Sequence, residues 1–165
     1  MKNNTLNADG LNLIQHFESL VLNAYQDSVG VWTIGWGHTG TDVTEGKIIT
    51  EEEAESLLQE DLIKFEKAVN DLVSIELNEN QFAALVSFAF NLGIGNLQSS
   101  TLLKLVNSND SFNASKEFVK WSKAGGQRLS GLVKRRLSER NLFCSFLEPI
   151  VTTVPDDWET NYMNI

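Results

Sequence analysis

The strongest constraint on this chain is a double change of hydrophobic period. Leu11, Ile14, Phe17 and Val21 recur at helical spacing, which predicts an amphipathic helix over about residues 9–21. Across residues 24–46 the period falls to two. Trp32, Ile34 and Trp36 alternate there with Thr33, Gly35 and Gly37, as expected of short strands and turns. Helical spacing returns at Thr50, which forms a capping-box signature with Glu53 and leads into Leu57, Leu58, Leu62, Phe65, Val69 and Leu72. Asn78 with Gln81 opens a further helix through Phe82, Leu85, Val86, Ala89 and Phe90, with Gly93 and Gly95 as its stop. Shorter helices are expected near 100–107 and 112–122, with Gly125-Gly126 as a break. A closing basic helix is expected over 132–147, ended by Pro149.

Helix, short strands and then helices only is an α+β order. It predicts a small β-hairpin lobe, at about 22–48, inserted after the first helix. A long helix would join it to a mainly helical lobe at about 50–148. Residues 1–148 then form a single domain, and 149–165 an acidic tail or a strap over the surface, with Trp158 packing on the body. At 165 residues and 42% apolar content, one core suffices without covalent staples.

Several classes of function are excluded early. Cys144 is the sole cysteine, so an intrachain disulfide and a cysteine-based zinc site are ruled out. His16 and His38 are too few for a three-histidine centre. Neither a metal nor a cofactor is expected. The nearly apolar run 82–90 is far short of a membrane span, so stable membrane insertion is not expected either. Lys2 is followed by Asn3, Asn4, Thr5, Asn7 and Asp9 rather than an apolar signal core, so no signal peptide is expected.

The net charge of −9 argues against nucleic acid as a partner. It is unevenly spread. Residues 1–82 hold 4 basic and 15 acidic groups, 83–148 hold 9 and 4, and 149–165 hold none and 3. A polyanionic ligand could still be met locally by the cationic stretch.

Glu18 is the first candidate for chemistry. On a wheel of about 100° per residue it falls inside the apolar face, between Leu11 and Ile14. A carboxylate there is either ion-paired, with Arg135 or Arg136 as candidates, or held protonated by apolar neighbours and suited to donate a proton. Both readings stay open on position alone. Asp27 and Thr33 flank Gly30 symmetrically, and a tight turn there would make them a cross-strand pair able to hold a water. An ordinary turn Asp beside an ordinary strand Thr is the plainer alternative. Trp32, Trp36 and Trp121 read as core rather than sugar-stacking platforms, and Cys144 as a small buried helix residue.

Phe17-Glu18, Ala24-Tyr25, Asp27 and Val31-Trp32-Thr33-Ile34-Gly35-Trp36-Gly37-His38-Thr39 together closely resemble the active-site segment of phage-type lysozymes, family 24 of the glycoside hydrolases. The resemblance continues through Asn80-Gln81-Phe82, the run Ala84 to Asn91, Ser100-Thr101-Leu102-Leu103, Gly131 to Arg136, and Glu139-Arg140. It implies a lysozyme-like fold and an endolysin-type muramidase acting on the β-1,4 bond between N-acetylmuramic acid and N-acetylglucosamine.

By this resemblance Glu18 is the general acid, and Asp27 and Thr33 position the attacking water. His38 braces the two lobes, and Thr39, Phe90 and Ser100 line the sugar cleft. Lys134, Arg135 and Arg136 would either face the anionic peptide stems or wall polymers, or form a solvated helix face. The implied partner is bacterial peptidoglycan, met by a monomer. The protein would accumulate in the cytoplasm of an infected bacterium and reach the wall through a lesion made by a separate protein. The rivals are a lytic transglycosylase and a non-catalytic peptidoglycan-binding module on the same fold.

Overall fold

The structure is a computed structural model that describes residues 3–163. Residues 1, 2, 164 and 165, the ends of the expected domain and tail, lie outside the described residues.

Helix α1 spans Ala8–Phe17, capped by the Asn7 side chain, which accepts from the Gly10 N–H. It ends sooner than the periodicity predicts. Val21 already belongs to strand β1, Val21–Gln26, which pairs antiparallel with β2, Trp32–Gly35; β2 pairs in turn with β3, His38–Thr39. The β-branched Val21 suits an extended chain as well as a helix face. Residues 47–49 close the far edge, where the Ala24 and Ile49 N–H groups bond the Lys47 and Leu22 carbonyls. Ile34, Val43, Ile49 and Ala54 form the small core under this sheet.

Helix α2, Glu51–Leu72, carries the expected capping box of Thr50 and Glu53, and its acidic first turn meets the positive end of the helix dipole. It runs from the small core to the large one. At the centre of the helical lobe lies α3, Glu79–Leu92, capped by Asn78 and Gln81. Phe82 through Ala89 are all buried there, so this helix is enclosed around its whole circumference, with Ser87 its one polar side chain in that run. Gly93 alone ends it; Gly95 falls inside the next helix, α4, Ile94–Ser99. Helices α5, Thr101–Asn107, and α6, Ser111–Glu117, follow, and a 3-10 turn covers Phe118–Trp121. The Gly125-Gly126 break is the turn of a second hairpin, β4 (Lys123–Ala124) with β5 (Gln127–Arg128). Both glycines take positive φ, 57° and 79°, as the tight turn requires.

Helix α7 spans Ser130–Phe143 and packs on α3. It stops at Cys144, and Ser145 takes a left-handed φ of 60°, so the chain turns away before Pro149 is reached. Cys144 is exposed, contrary to its expected burial. The tail is a strap. The Val151 N–H bonds Ser138 Oγ, and helix α8, Trp158–Met163, sets Trp158 against Val119, Val133 and Leu137. Arg128 lies 4.9 Å from the Trp158 ring and pairs with Glu159. Trp158→Ala is expected to lower unfolding free energy by about 3 kcal/mol in a denaturant titration, because it deletes the centre of this cluster.

Candidate active site

Two neighbouring hollows share Glu18 and Asn91. One, of about 270 Å³, is lined by Glu18, Trp36, Gly37, Thr39, Asp61, Lys64, Phe65, Phe90 and Asn91. The other, of about 400 Å³, is lined by Phe17, Glu18, Asn91, Leu129, Ser130, Gly131, Leu132 and Arg135. Together they form a groove from the sheet and α2 to the start of α7. Size does not single it out, since a hollow of about 600 Å³ lies along the N-terminal segment. The groove is distinguished by an ion-paired acid beside the three-stranded sheet.

Glu18 follows the last turn of α1 in extended conformation, its N–H closing the helix on the Ile14 carbonyl. It therefore sits at the helix–strand junction and not on the helix face. Its carboxyl is one-quarter exposed and accepts from Arg135 Nη1 at 2.5 Å. The expected apolar wrapping is not found; the ion-paired reading holds, with Arg135 as the partner.

Arg135 and Arg136 are both buried, so neither faces wall polymer or solvent. They converge on Glu139, whose Oε1 accepts from Arg135 Nε, Arg136 Nη2 and Ser87 Oγ at 3.3, 2.7 and 2.8 Å. Arg136 also donates to Asn91 Oδ1 at 3.1 Å, which fixes that amide in the groove wall. Burial pulls the Arg136 guanidinium down to about 10, against the opposing attraction of Glu139. Arg136 Nε and Nη1 and Glu139 Oε2 are buried without a hydrogen-bond partner. Sequence reasoning missed Glu139 as an anchor, although its i+3 and i+4 spacing from the two arginines was a usable signal.

The hairpin register differs from the expected one. Thr33 lies opposite Tyr25, and the Asp27 N–H bonds the Val31 carbonyl, so Asp27 and Thr33 are diagonal neighbours. Such positions are about 7–8 Å apart between backbones. Asp27 Oδ1 accepts from the Val29 and Val31 N–H groups at 2.9 and 2.8 Å, the arrangement of a turn-capping Asp. These two bonds orient the carboxylate through one oxygen only. Thr33 is buried, donates to the Val31 carbonyl, and pairs across β2–β3 with Thr39, which lines the groove. Gly37 beside it takes φ 90° with open space around the position of a Cβ, so the backbone conformation, not crowding, demands glycine.

His38 joins β3 to α2. Its Nδ1 meets Asp61 Oδ2 at 2.9 Å, and its Nε2 meets Asp42 Oδ1 at 3.3 Å. Burial opposes the imidazolium, but hydrogen bonds and charge from Asp61 and Asp42 outweigh it and raise the His38 pKa above 6.5. A raised folded value stabilises fully below 6.5 and ceases to do so as pH climbs through it. Asp42 is held down at about 2, chiefly by Lys47 and then by His38, so its contribution persists above 3.8 and fades as pH falls towards 2. His38→Gln is therefore expected to cost most stability between about pH 4 and 6.5 and progressively less towards pH 9. Thermal melts across that range check this; a gap that widens with pH would contradict it.

Phe90 lies in the groove, edge-on to Phe65 at 5.2 Å between centroids. Ser100 does not. It is buried as the N-cap of α5, accepting from the Leu103 N–H and donating to the Leu97 carbonyl. Its proton and one lone pair serve the cap, and it is buried and lines neither hollow, so the expectation of a sugar contact is corrected. Trp36 half-buries between the two cores and also lines the groove. Asp61, Lys64, Phe65 and Asn91 were not singled out as site residues. Only Asn91 lay in a recognisable motif; the others read as ordinary positions of a long acidic helix. Among the described residues no group of three His, Cys, Asp or Glu side chains could hold a metal ion, and no helix is long and apolar enough to cross a membrane.

A small sheet lobe, a long connecting helix and a helical lobe, with an acid at the first helix–strand junction, define the lysozyme type of α+β protein. A family profile described as phage lysozyme matches residues 15–139, and the chain belongs to that family. It is 47% identical over 136 residues to an endolysin of Bacillus phage B103, covering 81% of this chain and 52% of that protein. The chain thus spans about half the length of that relative and of a similar endolysin from Bacillus phage PZA. An endolysin of Acyrthosiphon pisum secondary endosymbiont phage 1 is 45% identical, with 81% of this chain and 94% of that protein covered. Among solved structures, the muramidase domain of SpmX from Asticaccaulis excentricus is 40% identical with a TM-score of 0.80, covering 86% of this chain and 98% of that one.

Proposed function

We propose that this protein is an endolysin-type N-acetylmuramidase, hydrolysing the β-1,4 bond between N-acetylmuramic acid and N-acetylglucosamine in bacterial peptidoglycan. The observation that carries this reading is Glu18, set in the wall of both hollows and oriented there by Arg135. In the reacting form Arg135 keeps Glu18 Oε1 and the proton sits on Oε2, from which it passes to the leaving glycosidic oxygen. A water held between Asp27 and Thr33 attacks the anomeric carbon from the opposite face, and the Asp27 carboxylate offsets positive charge growing on the ring. Asp27 Oδ1 is taken by two backbone N–H groups, which leaves Oδ2 to accept from that water. Inversion needs about 6.5–9.5 Å between the two carboxyls, enough to admit a water. No metal or cofactor takes part.

Residues 1–148 act as one catalytic unit, and among the described residues the tail at 149–161 contributes no side chain to the lining of either hollow. The protein works on the wall as a monomer after leaving the cytoplasm of an infected bacterium through a lesion made by another protein. A lytic transglycosylase would not need Asp27 and Thr33 together, and a non-catalytic wall-binding module would need none of the three. Digestion of purified peptidoglycan in water labelled with heavy oxygen separates the chemistries. Hydrolysis puts the label on new reducing ends, first in the inverted anomer; anhydro ends without label would overturn the reading.

A further inference from the structure

We propose that Lys64 is a specificity residue that pairs with carboxylates of the peptide stems carried by muramic acid, which rests on the muramidase reading above. Every other charged side chain of the smaller hollow has a partner within the protein. Glu18 is met by Arg135, and Asp61 by His38. Lys64 lines the same hollow, one helical turn from Asp61, and among the described residues it makes no ion pair. Its Nζ lies 5.1 Å from the Phe65 centroid, and Phe65 is edge-on to Phe90, so an aromatic pair backs the ammonium.

The position is unusual for its helix. Helix α2 carries eight acidic and two basic residues, and the other base, Lys67, is already paired with Asp71. An unpaired ammonium at the edge of a sugar groove has no charge partner in a glycan backbone, because N-acetylated sugars are neutral. In peptidoglycan the carboxylates sit on the stems, attached at the muramic lactyl group. A groove that takes the glycan strand therefore brings a stem past its rim, where Lys64 can meet it.

The test compares wild type, Lys64→Gln and Lys64→Arg on purified peptidoglycan and on the same wall after its carboxylates are coupled to methylamine. At low salt, Lys64→Gln is expected to raise the half-saturating wall concentration by up to about fivefold, the range of one exposed ion pair, with the change in KM and not in kcat. Lys64→Arg restores it, and high salt removes the difference. On the amidated wall, wild type falls to the level of Lys64→Gln. Equal behaviour of wild type and Lys64→Gln on native wall would overturn the proposal and leave a solvated lysine. A deficit that persists on amidated wall would overturn it in favour of a sugar contact. Co-sedimentation with the two walls reads the same difference without turnover, so absence of hydrolysis would sink the muramidase reading separately.

Discussion

Glu18→Gln is expected to lower the rate of muropeptide release by roughly 10²–10⁴-fold, the usual share of a general acid. Glutamine keeps the size of the side chain and can still accept from Arg135 through its amide oxygen, so the groove wall stays in place. What it lacks is a transferable proton. Binding to the wall should persist, and thermal melts should show a folded protein. Asp27→Asn is expected to impair turnover as well, while preserving the turn, since an amide oxygen can take the Val29 and Val31 N–H bonds. Dye release from labelled peptidoglycan, with kcat and half-saturation fitted separately, checks both variants.

The largest effect on stability is expected at Glu139. Its Oε1 is the common acceptor for two guanidinium groups and a serine hydroxyl, and both arginines and the glutamate are almost wholly buried. Glu139→Ala leaves Arg136 with no acid in contact, an uncompensated charge in the core, and should cost about 3–5 kcal/mol in a denaturant titration. The double change Arg136→Met with Glu139→Leu removes charge and partner together and should recover most of that loss. Its recovery would show that the penalty comes from the stranded charge and not from lost volume. Glu139 also holds Arg135, which orients Glu18. Activity in Glu139→Ala should therefore fall further than the unfolded fraction explains.

The order of elements was legible because local signals agreed with the packing. Thr50 with Glu53 and Asn78 with Gln81 announce two helix starts that the structure reproduces as capping boxes. The boundary at Glu18 was not legible. Val21 fits a helical face and a strand equally well, and the choice is made by its pairing with Gly35. The register at Gly30 was misread for a related reason. Symmetry about one glycine does not set a register; the Asp27 carboxylate does, by bonding Val29 and Val31 N–H groups.

At the candidate site, an arginine partner for Glu18 was one of two open readings, and it rested on a place in the apolar helix face that Glu18 does not occupy. That Arg135 and Arg136 turn inwards was not foreseeable, because their mutual acceptor, Glu139, reads in sequence as one more charge on a polar helix. Ser100 illustrates the converse: a small polar residue in a familiar motif is consumed by a helix cap. Asp61 and Lys64 owe their place in the groove to the way α2 packs beside β3, a tertiary contact with no local signature.

The most direct test of the central claim is end-group chemistry on purified peptidoglycan, wild type beside Glu18→Gln, with binding measured in the same samples by sedimentation. The account predicts new reducing ends from wild type, and a Glu18→Gln protein that binds the wall and releases almost nothing. Equal release from the two proteins, or release as anhydro ends, would contradict it.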